Sequence, residues 1–229
     1  MLTRPLEDSK DLIIRLKSLG HDVSHMPVIK VEKIEIKNIN YSEYSGIIFT
    51  SSNSLKFLNT KNIDKSINCF CVGSSTEKNV LRKGFQNVYA ADGNVENLKE
   101  IIIQNFNNKS GKLLYLSGEL ITSNIHKKLA SEDYIIERVI NYKVEHVEEF
   151  DQIFIDKLKN FMPEIIYVYS ENSAKSLLNL LKKYDLLDSW METNLMCMGE
   201  KASAILNEIK WKKIFLFNSG EEEFLLYKI

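Results

Sequence analysis

The sequence predicts an α/β protein with two doubly wound parallel-sheet domains of related topology, joined by two extended connectors. Short apolar strands alternate with helical patterns along most of the 229 residues, as in parallel βα units. Two strand–helix units recur in the same order in both halves of the chain. Two further segments alternate apolar and charged residues, which suits exposed connectors better than the interior of a parallel sheet.

The elements follow one another in a regular order. A helix is predicted from the capping candidates Asp8 and Ser9 to the stop signal Gly20. The next elements are a strand at 46–51, a helix after Ser52, a strand at 67–72, helices at 75–83 and 95–106, a strand at 112–117, a helix ending near Ala130 and a strand at 134–142. The second half adds a helix at 148–160, a strand at 164–170, a helix at 172–184, a strand at 195–199, a helix at 200–209, a strand at 213–217 and a helix at 220–228.

The internal repeat consists of two βα units. Residues 50–58 (TSSNSLKFL) align with 169–177 (YSENSAKSL), and 71–73 (CVG) align with 197–199 (CMG). An aromatic residue follows each of these glycines by twelve positions. Helix capping alone also places Ser and Asn at strand ends. Two matched units in the same order favour a duplication, and hence two related domains.

The two alternating segments define the predicted domain boundaries. The segments are 29–36 (IKVEKIEI) and 142–147 (YKVEHV). We therefore expect a discontinuous domain formed by residues 1–32 and 148–229. The inserted domain would hold residues 37–141, and the connectors would be 33–36 and 142–147.

Composition excludes several classes of protein. Lys and Arg total 30 against 31 Asp and Glu, so a large basic face for nucleic acid is not expected. No apolar run approaches the ~20 residues that cross a bilayer, and the N-terminus has no apolar signal core. A cytoplasmic monomer without nucleic-acid or membrane partners is the expectation.

The cysteines and histidines do not form a metal signature. The three cysteines are too few for a disulfide scaffold. Cys69 and Cys71 alternate on one face of a strand, and Cys197 lies in a similar run, so buried core thiols are favoured over a metal site. The four histidines are scattered, without a helical pair. No metal is expected.

Five polar loops each follow a predicted strand and precede a helix. Ligands of open parallel sheets bind beyond the carboxyl ends of the strands, and free N–H groups at helix starts bind anions. For any single loop, helix capping is the better explanation. For the set, one shared ligand with many carboxylates or phosphates becomes a competing explanation. No dinucleotide, P-loop or nucleophile-elbow glycine motif is present. The loops are 50–53, 73–76, 117–119, 170–173 and 199–203.

Short motifs along nearly the whole chain resemble those of the uroporphyrinogen-III synthase family. Each motif is short, but their order and spacing are specific. At Glu77 the family usually has Ala, and at Ala202 it usually has Thr. The motifs are 2–5 (LTRP), 47–54 (IIFTSSNS), 72–76 (VGSST), 114–119 (LYLSGE), 139–142 (VINY), 169–170 (YS) and 198–201 (MGEK).

The resemblance implies a cofactor-free enzyme of tetrapyrrole and haem biosynthesis. Its substrate would be hydroxymethylbilane, a linear tetrapyrrole with eight carboxylates. The enzyme would close the ring with loss of water and inversion of ring D. The implied substrate-binding residues, lining a cleft between the domains, are Thr50, Ser51, Ser52, Thr76, Ser117, Gly118, Ser170 and Ser203.

Tyr142 is the predicted catalytic residue. It ends the strand 134–142, where the chain leaves one domain, so its side chain can face the cleft. An aromatic residue packed at a strand end is the alternative, and the matching position in the resembling family favours catalysis. A protonated tyrosine can donate a hydrogen bond to the departing hydroxyl. His146 is the second candidate for this role.

Two other functions remain open from the sequence alone. A non-catalytic two-lobed binding protein for a small polyanionic ligand would bind without turnover and would not need Tyr142. A glycosyltransferase with two similar domains would need a nucleotide-sugar site with a ribose-binding carboxylate, and the sequence does not point to one.

Overall fold

The computed structural model describes residues 1–36, 38–92, 95–218, 221–222 and 226. Short 3₁₀ helices at Tyr41–Glu43 and Leu187–Trp190 complete the regular structure of this part of the chain. In chain order its helices and strands are α1 (Leu6–Ser18), β1 (Ile29–Lys33), β2 (Tyr44–Phe49), α2 (Asn53–Lys56), β3 (Asn68–Val72), α3 (Ser74–Arg82), β4 (Val88–Ala91), α4 (Val95–Asn105), β5 (Lys112–Gly118), α5 (Ile125–Ala130), β6 (Ile136–His146), α6 (Gln152–Asn160), β7 (Ile165–Val168), α7 (Glu171–Lys183), β8 (Asn194–Cys197), α8 (Glu200–Ile205) and β9 (Lys213–Leu216).

The chain forms two compact units. One comprises Met1–Lys30 and Glu145–Ile229, and the other comprises Val31–Val144. We propose that these units correspond to the two domains predicted as 1–32 with 148–229 and as 37–141. The α/β class with parallel sheets is confirmed.

The unit Val31–Val144 is built on a sheet with strand order β1-β6-β5-β2-β3-β4. The pairs β6–β5, β5–β2, β2–β3 and β3–β4 are parallel. Apolar layers cover both faces, because Ile47 and Phe49 pack into one cluster and Ile48 packs into the other. This two-sided burial explains why β2 is an unbroken apolar run.

The other unit has a smaller sheet of three parallel strands, β7-β8-β9. The N-terminal segment extends it through bridges from Leu2 to His25 and to Tyr167. Leu2 is fully buried, and it packs with Leu12 and Leu16 of α1. The regularly spaced apolar residues of α1 therefore cover this sheet.

Most of the connector predicted at 142–147 belongs to β6, whereas the connector predicted at 33–36 begins at the last residue of β1 and continues without regular structure. β1 and β6 are neighbours, and β6 continues through Tyr142 to His146 instead of ending at Tyr142. The Ile34 N–H donates to the Asn141 carbonyl, and the Val147 N–H donates to the Val28 carbonyl. These two hydrogen bonds show that the two segments run antiparallel to each other.

Three local predictions are wrong or incomplete. α1 begins after Pro5, so Asp8 and Ser9 lie inside the helix and do not cap it. Proline has a φ suited to a helix start and lacks the N–H that such a start leaves unpaired. The helix after Ser52 is a single turn, α2, and β4 was not predicted. Most of the predicted helix 220–228 lies outside the described residues.

The cysteines are confirmed as core residues. Cys69 and Cys71 are fully buried in β3 within one apolar cluster, and Cys197 is fully buried in β8. Burial raises the pKa of each thiol to about 12, which keeps it in the thiol form. Among the described residues, no helix has the length and apolar character needed to cross a membrane.

The repeated glycines adopt nearly the same unusual backbone conformation. Gly73 has φ 78° and ψ 148° before α3, and Gly199 has φ 90° and ψ 157° before α8. This region is essentially restricted to glycine. The shared conformation supports the internal repeat that the sequence predicts.

Replacing Gly73 by Ala is expected to lower the free energy of unfolding by ~1–3 kcal/mol through backbone strain. An added Cβ would meet no atom within 4 Å, so crowding does not contribute. Urea denaturation of Gly73→Ala against Ser74→Ala measures the effect, since Ser74 is exposed at the next position. Equal unfolding midpoints for the two variants would contradict the strain argument.

Candidate functional site

The ends of β2 and β5 form the topological switch point of the larger sheet. From β2 the chain proceeds outward to β3 and β4, and then returns to place β5 on the other side of β2. Ligands of doubly wound sheets bind at such points, beyond the carboxyl ends of the strands. Thr50 and Ser51 follow β2, and Ser117 and Gly118 end β5. Four of the predicted site residues thus meet at one edge.

Thr50 is tied to β5 by a buried tyrosine. Its Oγ1 lies 3.0 Å from the hydroxyl of Tyr115, which is 1% exposed. Burial raises the pKa of Tyr115, so this phenol remains protonated at neutral pH. The pair bridges the two strands across the switch point.

Tyr142 reaches the same edge from β6. The β5–β6 register shifts between Ser117 and Gly118, which places Tyr142 opposite Gly118. A Cβ at Gly118 would lie 2.8 Å from Tyr142 Cζ, so only glycine leaves room for this ring. The Glu119 N–H donates to the Tyr142 carbonyl at 3.0 Å, which fixes the backbone at this point.

The Tyr142 side chain is buried beside Gly118. Burial raises the pKa of Tyr142, while hydrogen bonds with the Ser51 side chain and the Gly118 backbone act in the opposite direction. Since the pKa lies above its ordinary value of 10.0, the hydroxyl is protonated at neutral pH. Tyr142 is therefore equipped to donate a proton or a hydrogen bond.

Arg138 is a member of this cluster that sequence reasoning missed. Its Nε donates to Ser117 Oγ at 2.8 Å. Its Nη2 donates to the carbonyls of Gly118 at 2.7 Å and Glu119 at 2.9 Å. The sequence feature that could have identified Arg138 is its charge in the middle of the predicted strand 134–142.

His126 of α5 was also missed as a site candidate. Its ring centroid lies 6.0 Å from that of Tyr115, and its Nδ1 is buried without a hydrogen-bond partner in the described part of the chain. Burial, followed by the charges of Arg138 and Lys127, lowers the pKa of His126. The imidazole is therefore neutral at physiological pH.

Ser52 and Thr76 occupy neighbouring positions at this edge of the sheet. β3 is parallel to β2, so α3 starts at the same edge as α2. Ser52 precedes α2 without capping it, and α2 has only four residues, too few for a helix-terminal anion site. Thr76 lies in the first turn of the nine-residue α3, 5% exposed. Within the described residues its hydroxyl has no partner.

Ser170 and Ser203 belong to the other unit. Ser170 Oγ accepts from the Ser173 N–H at 3.1 Å and caps α7, so capping accounts for this residue. Ser203 lies in the six-residue α8. β7 and β8 are parallel neighbours, so both helices start at one edge of the smaller sheet.

The smaller sheet carries an arginine–tyrosine pair. The Arg4 guanidinium carbon lies 4.2 Å from the centroid of the Tyr169 ring, in a cation–π contact. Arg4 Nη1 is also 3.9 Å from Glu222 Oε1. The bridge from Leu2 to Tyr167 brings these residues together, so the N-terminal motif lies beside the end of β7.

Two α/β units with parallel sheets and hydroxyl-rich strand ends define a two-domain protein of the doubly wound class. The family model described as "Uroporphyrinogen-III synthase HemD" matches residues 10–216. The chain belongs to the uroporphyrinogen-III synthase family, a family of porphyrin biosynthesis.

Two sequence relatives illustrate the range of the family resemblance. An uncharacterized protein of Rickettsia prowazekii is 24% identical over 272 aligned positions, covering 100% of this chain and 97% of that protein. Uroporphyrinogen-III synthase of Saccharomyces cerevisiae is 27% identical, over 64% of this chain and 59% of the yeast protein.

Solved structures of the family share the fold. Uroporphyrinogen-III synthetase from Helicobacter pylori matches with a TM-score of 0.63 and 16% identity, covering 92% of this chain and 96% of that chain. A mutant uroporphyrinogen III synthase from Thermus thermophilus matches with a TM-score of 0.53 and 12% identity, covering 99% and 96%. At these identities the likeness concerns the two-domain fold.

Proposed function

We propose that the protein is a uroporphyrinogen-III synthase that converts hydroxymethylbilane to uroporphyrinogen III in haem biosynthesis. The observation that carries this proposal is the buried Tyr142 side chain, which packs against Gly118 at the switch point of the larger sheet. Family membership supports the reaction class, and Tyr142 would be the proton donor at an edge where a ligand is expected.

Tyr142 would assist departure of the substrate hydroxyl. The electron-rich terminal pyrrole pushes out the hydroxyl group, which leaves as water with one proton from a donor. The resulting cation is attacked by the α-carbon of ring D that already carries the methylene bridge to ring C, which would give a spiro intermediate. The bond from that carbon to the ring C methylene then breaks, and the methylene bonds to the free α-carbon of ring D, which loses its proton. Ring D is thereby inverted and the macrocycle is closed. Since the pyrrole drives much of this departure, the acid would accelerate the reaction without being indispensable.

Backbone N–H groups and small hydroxyls would bind the substrate carboxylates. The helices α3 and α7 are long enough for N-terminal anion sites. A near-neutral chain can hold such a substrate, because local dipoles determine the potential at a binding site. The reaction needs neither oxidant nor reductant, and we propose that it proceeds without a cofactor. The proposed substrate-binding residues are Thr50, Ser51, Ser52, Thr76, Ser117, Gly118, Ser170 and Ser203.

Chromatographic analysis of the product isomers tests the proposed function. The purified protein is supplied with hydroxymethylbilane, and the porphyrinogens are oxidised and separated. Formation of the type III isomer is expected. Type I isomer alone, formed at the rate of a protein-free control, would contradict the synthase. Tight binding of the tetrapyrrole without turnover would support the non-catalytic polyanion-binding protein instead.

Replacing Thr76 by Val is expected to lower kcat/KM by about three- to tenfold, the effect of one neutral hydrogen bond. Valine keeps the shape of the buried side chain and removes only the hydroxyl, which has no protein partner in the described residues. Ser75→Ala is the matched control, because Ser75 is exposed on the same turn. Equal kcat/KM values for both variants would exclude Thr76 as a substrate contact.

A further inference from the structure

We propose that the guanidinium of Arg138 binds one carboxylate of the tetrapyrrole, beside the proton donor Tyr142. The inference rests on the proposed function, because it assigns a residue of the same site to the substrate. Among the candidate site residues, Arg138 would provide a full positive charge where the others provide hydroxyls and backbone N–H groups.

Three hydrogen bonds hold the guanidinium in one orientation. Nε donates to Ser117 Oγ, and Nη2 donates to the carbonyls of Gly118 and Glu119. A guanidinium has five N–H donors in a rigid plane, and these bonds use three. The two Nη1 donors have no partner among the described residues. Nη1 is not fully buried, so solvent reaches it.

The charge of Arg138 has no counter-ion among the described residues. In the described part of the chain no carboxylate forms a salt bridge with it. Glu119 contributes only its backbone carbonyl, and the neighbouring His126 has a lowered pKa and is neutral. A half-buried cation without a counter-ion is destabilising, and a bound carboxylate would offset that cost through a charge-assisted hydrogen bond.

The register of the sheet places this charge at the proposed site. Arg138 of β6 pairs with Tyr115 of β5, whose hydroxyl bonds to Thr50. From there the Arg138 side chain extends to the end of β5, where Gly118 contacts the Tyr142 ring. A carboxylate on Nη1 would therefore lie close to the groups proposed for catalysis and fix the orientation of the substrate.

Binding of uroporphyrin III, a stable porphyrin with eight carboxylates, tests the inference without turnover. Fluorescence titration of Arg138→Gln is expected to give a Kd raised about tenfold or more, with KM for hydroxymethylbilane raised in parallel. Arg138→Lys should recover part of the affinity, because it keeps the charge. Arg82→Gln is the control, since Arg82 is exposed at the far end of α3. The Kd of Arg138→Gln should also depend less steeply on salt than that of the wild type.

Labelling of the wild-type protein with phenylglyoxal, an arginine reagent, provides a readout that does not depend on a folded variant. Uroporphyrin III should protect Arg138 and leave Arg82 reactive, as measured by mass spectrometry. If Arg138 serves only to hold the end of β5 in place, uroporphyrin III will not protect it from phenylglyoxal. In that case Arg138→Lys and Arg138→Gln will raise Kd equally, and the salt dependence of Kd will not change. Those results in an active synthase would overturn this inference alone. A wild type that makes no type III isomer would overturn both proposals.

Discussion

Gly118→Ala is expected to lower the turnover rate of the synthase by about a hundredfold or more, because the new methyl group displaces the proposed proton donor. An added Cβ would lie 2.8 Å from Tyr142 Cζ, 2.9 Å from Cε2 and 3.0 Å from the hydroxyl. Displacing a catalytic group by ~1 Å can cost ~10²-fold in rate. We also expect a loss of ~1–3 kcal/mol in the free energy of unfolding from overpacking.

A double-mutant cycle isolates this contact. In a Tyr142→Ala background the ring is absent, so the Gly118→Ala change should cost little further stability. Urea denaturation of the four proteins gives the interaction energy, and product-isomer analysis gives the rates. Stability losses that simply add would show that the ring and the glycine do not compete for space.

Tyr142→Phe is expected to lower the rate of type III formation by ~10²-fold or somewhat less, because the proton donor is lost. Phenylalanine keeps the ring against Gly118 and removes only the hydroxyl, so the fold should be retained. Ser51 Oγ still accepts from the Asn53 N–H at 3.2 Å, which limits the loss of stability to ~1 kcal/mol. The rate of type III formation measures the effect.

His146→Ala is the control for Tyr142→Phe. His146 is exposed at the end of β6, and its replacement should leave the rate near that of the wild type. Full activity in Tyr142→Phe, combined with none in a folded His146→Ala, would reverse the assignment.

The raised pKa of Tyr142 determines how the activity should depend on pH. The donor is the protonated phenol, which is present at low pH and lost as the pH rises through its pKa. Because burial holds that pKa above 10.0, titration of Tyr142 should not reduce activity at any pH below about 10. A decline at lower pH that disappears in Tyr142→Phe would contradict this expectation.

Local sequence patterns were sufficient for most of the strands. Ile47, Ile48 and Phe49 are all fully buried, which is why an unbroken apolar run identified β2. β4 escaped notice because it has only four residues and most of them are partly exposed. The start of α1 was misplaced because Asp8 and Ser9 are common capping residues, whereas the observed start follows Pro5.

The contacts of the candidate site depend on pairing between distant strands and could not be predicted in the same way. Tyr142 was located at a strand end from its position in the chain, but its contact with Gly118 requires the register shift in the β5–β6 pair. Arg138 reaches Ser117 through the same pairing. No local pattern encodes a register between strands, so Arg138 was found only in the structure.

The pairing of the N-terminal segment with β7 has a consequence for synthesis on the ribosome. Thr3 Oγ1 donates to the Tyr167 carbonyl at 2.6 Å, and the Tyr167 N–H donates to the Met1 carbonyl at 3.0 Å. Residues 1–3 are therefore translated long before the strand that they pair with, and residues 31–144 are completed in between. Because domains generally fold as units during translation, the inserted unit can fold while the N-terminal segment is still unpaired.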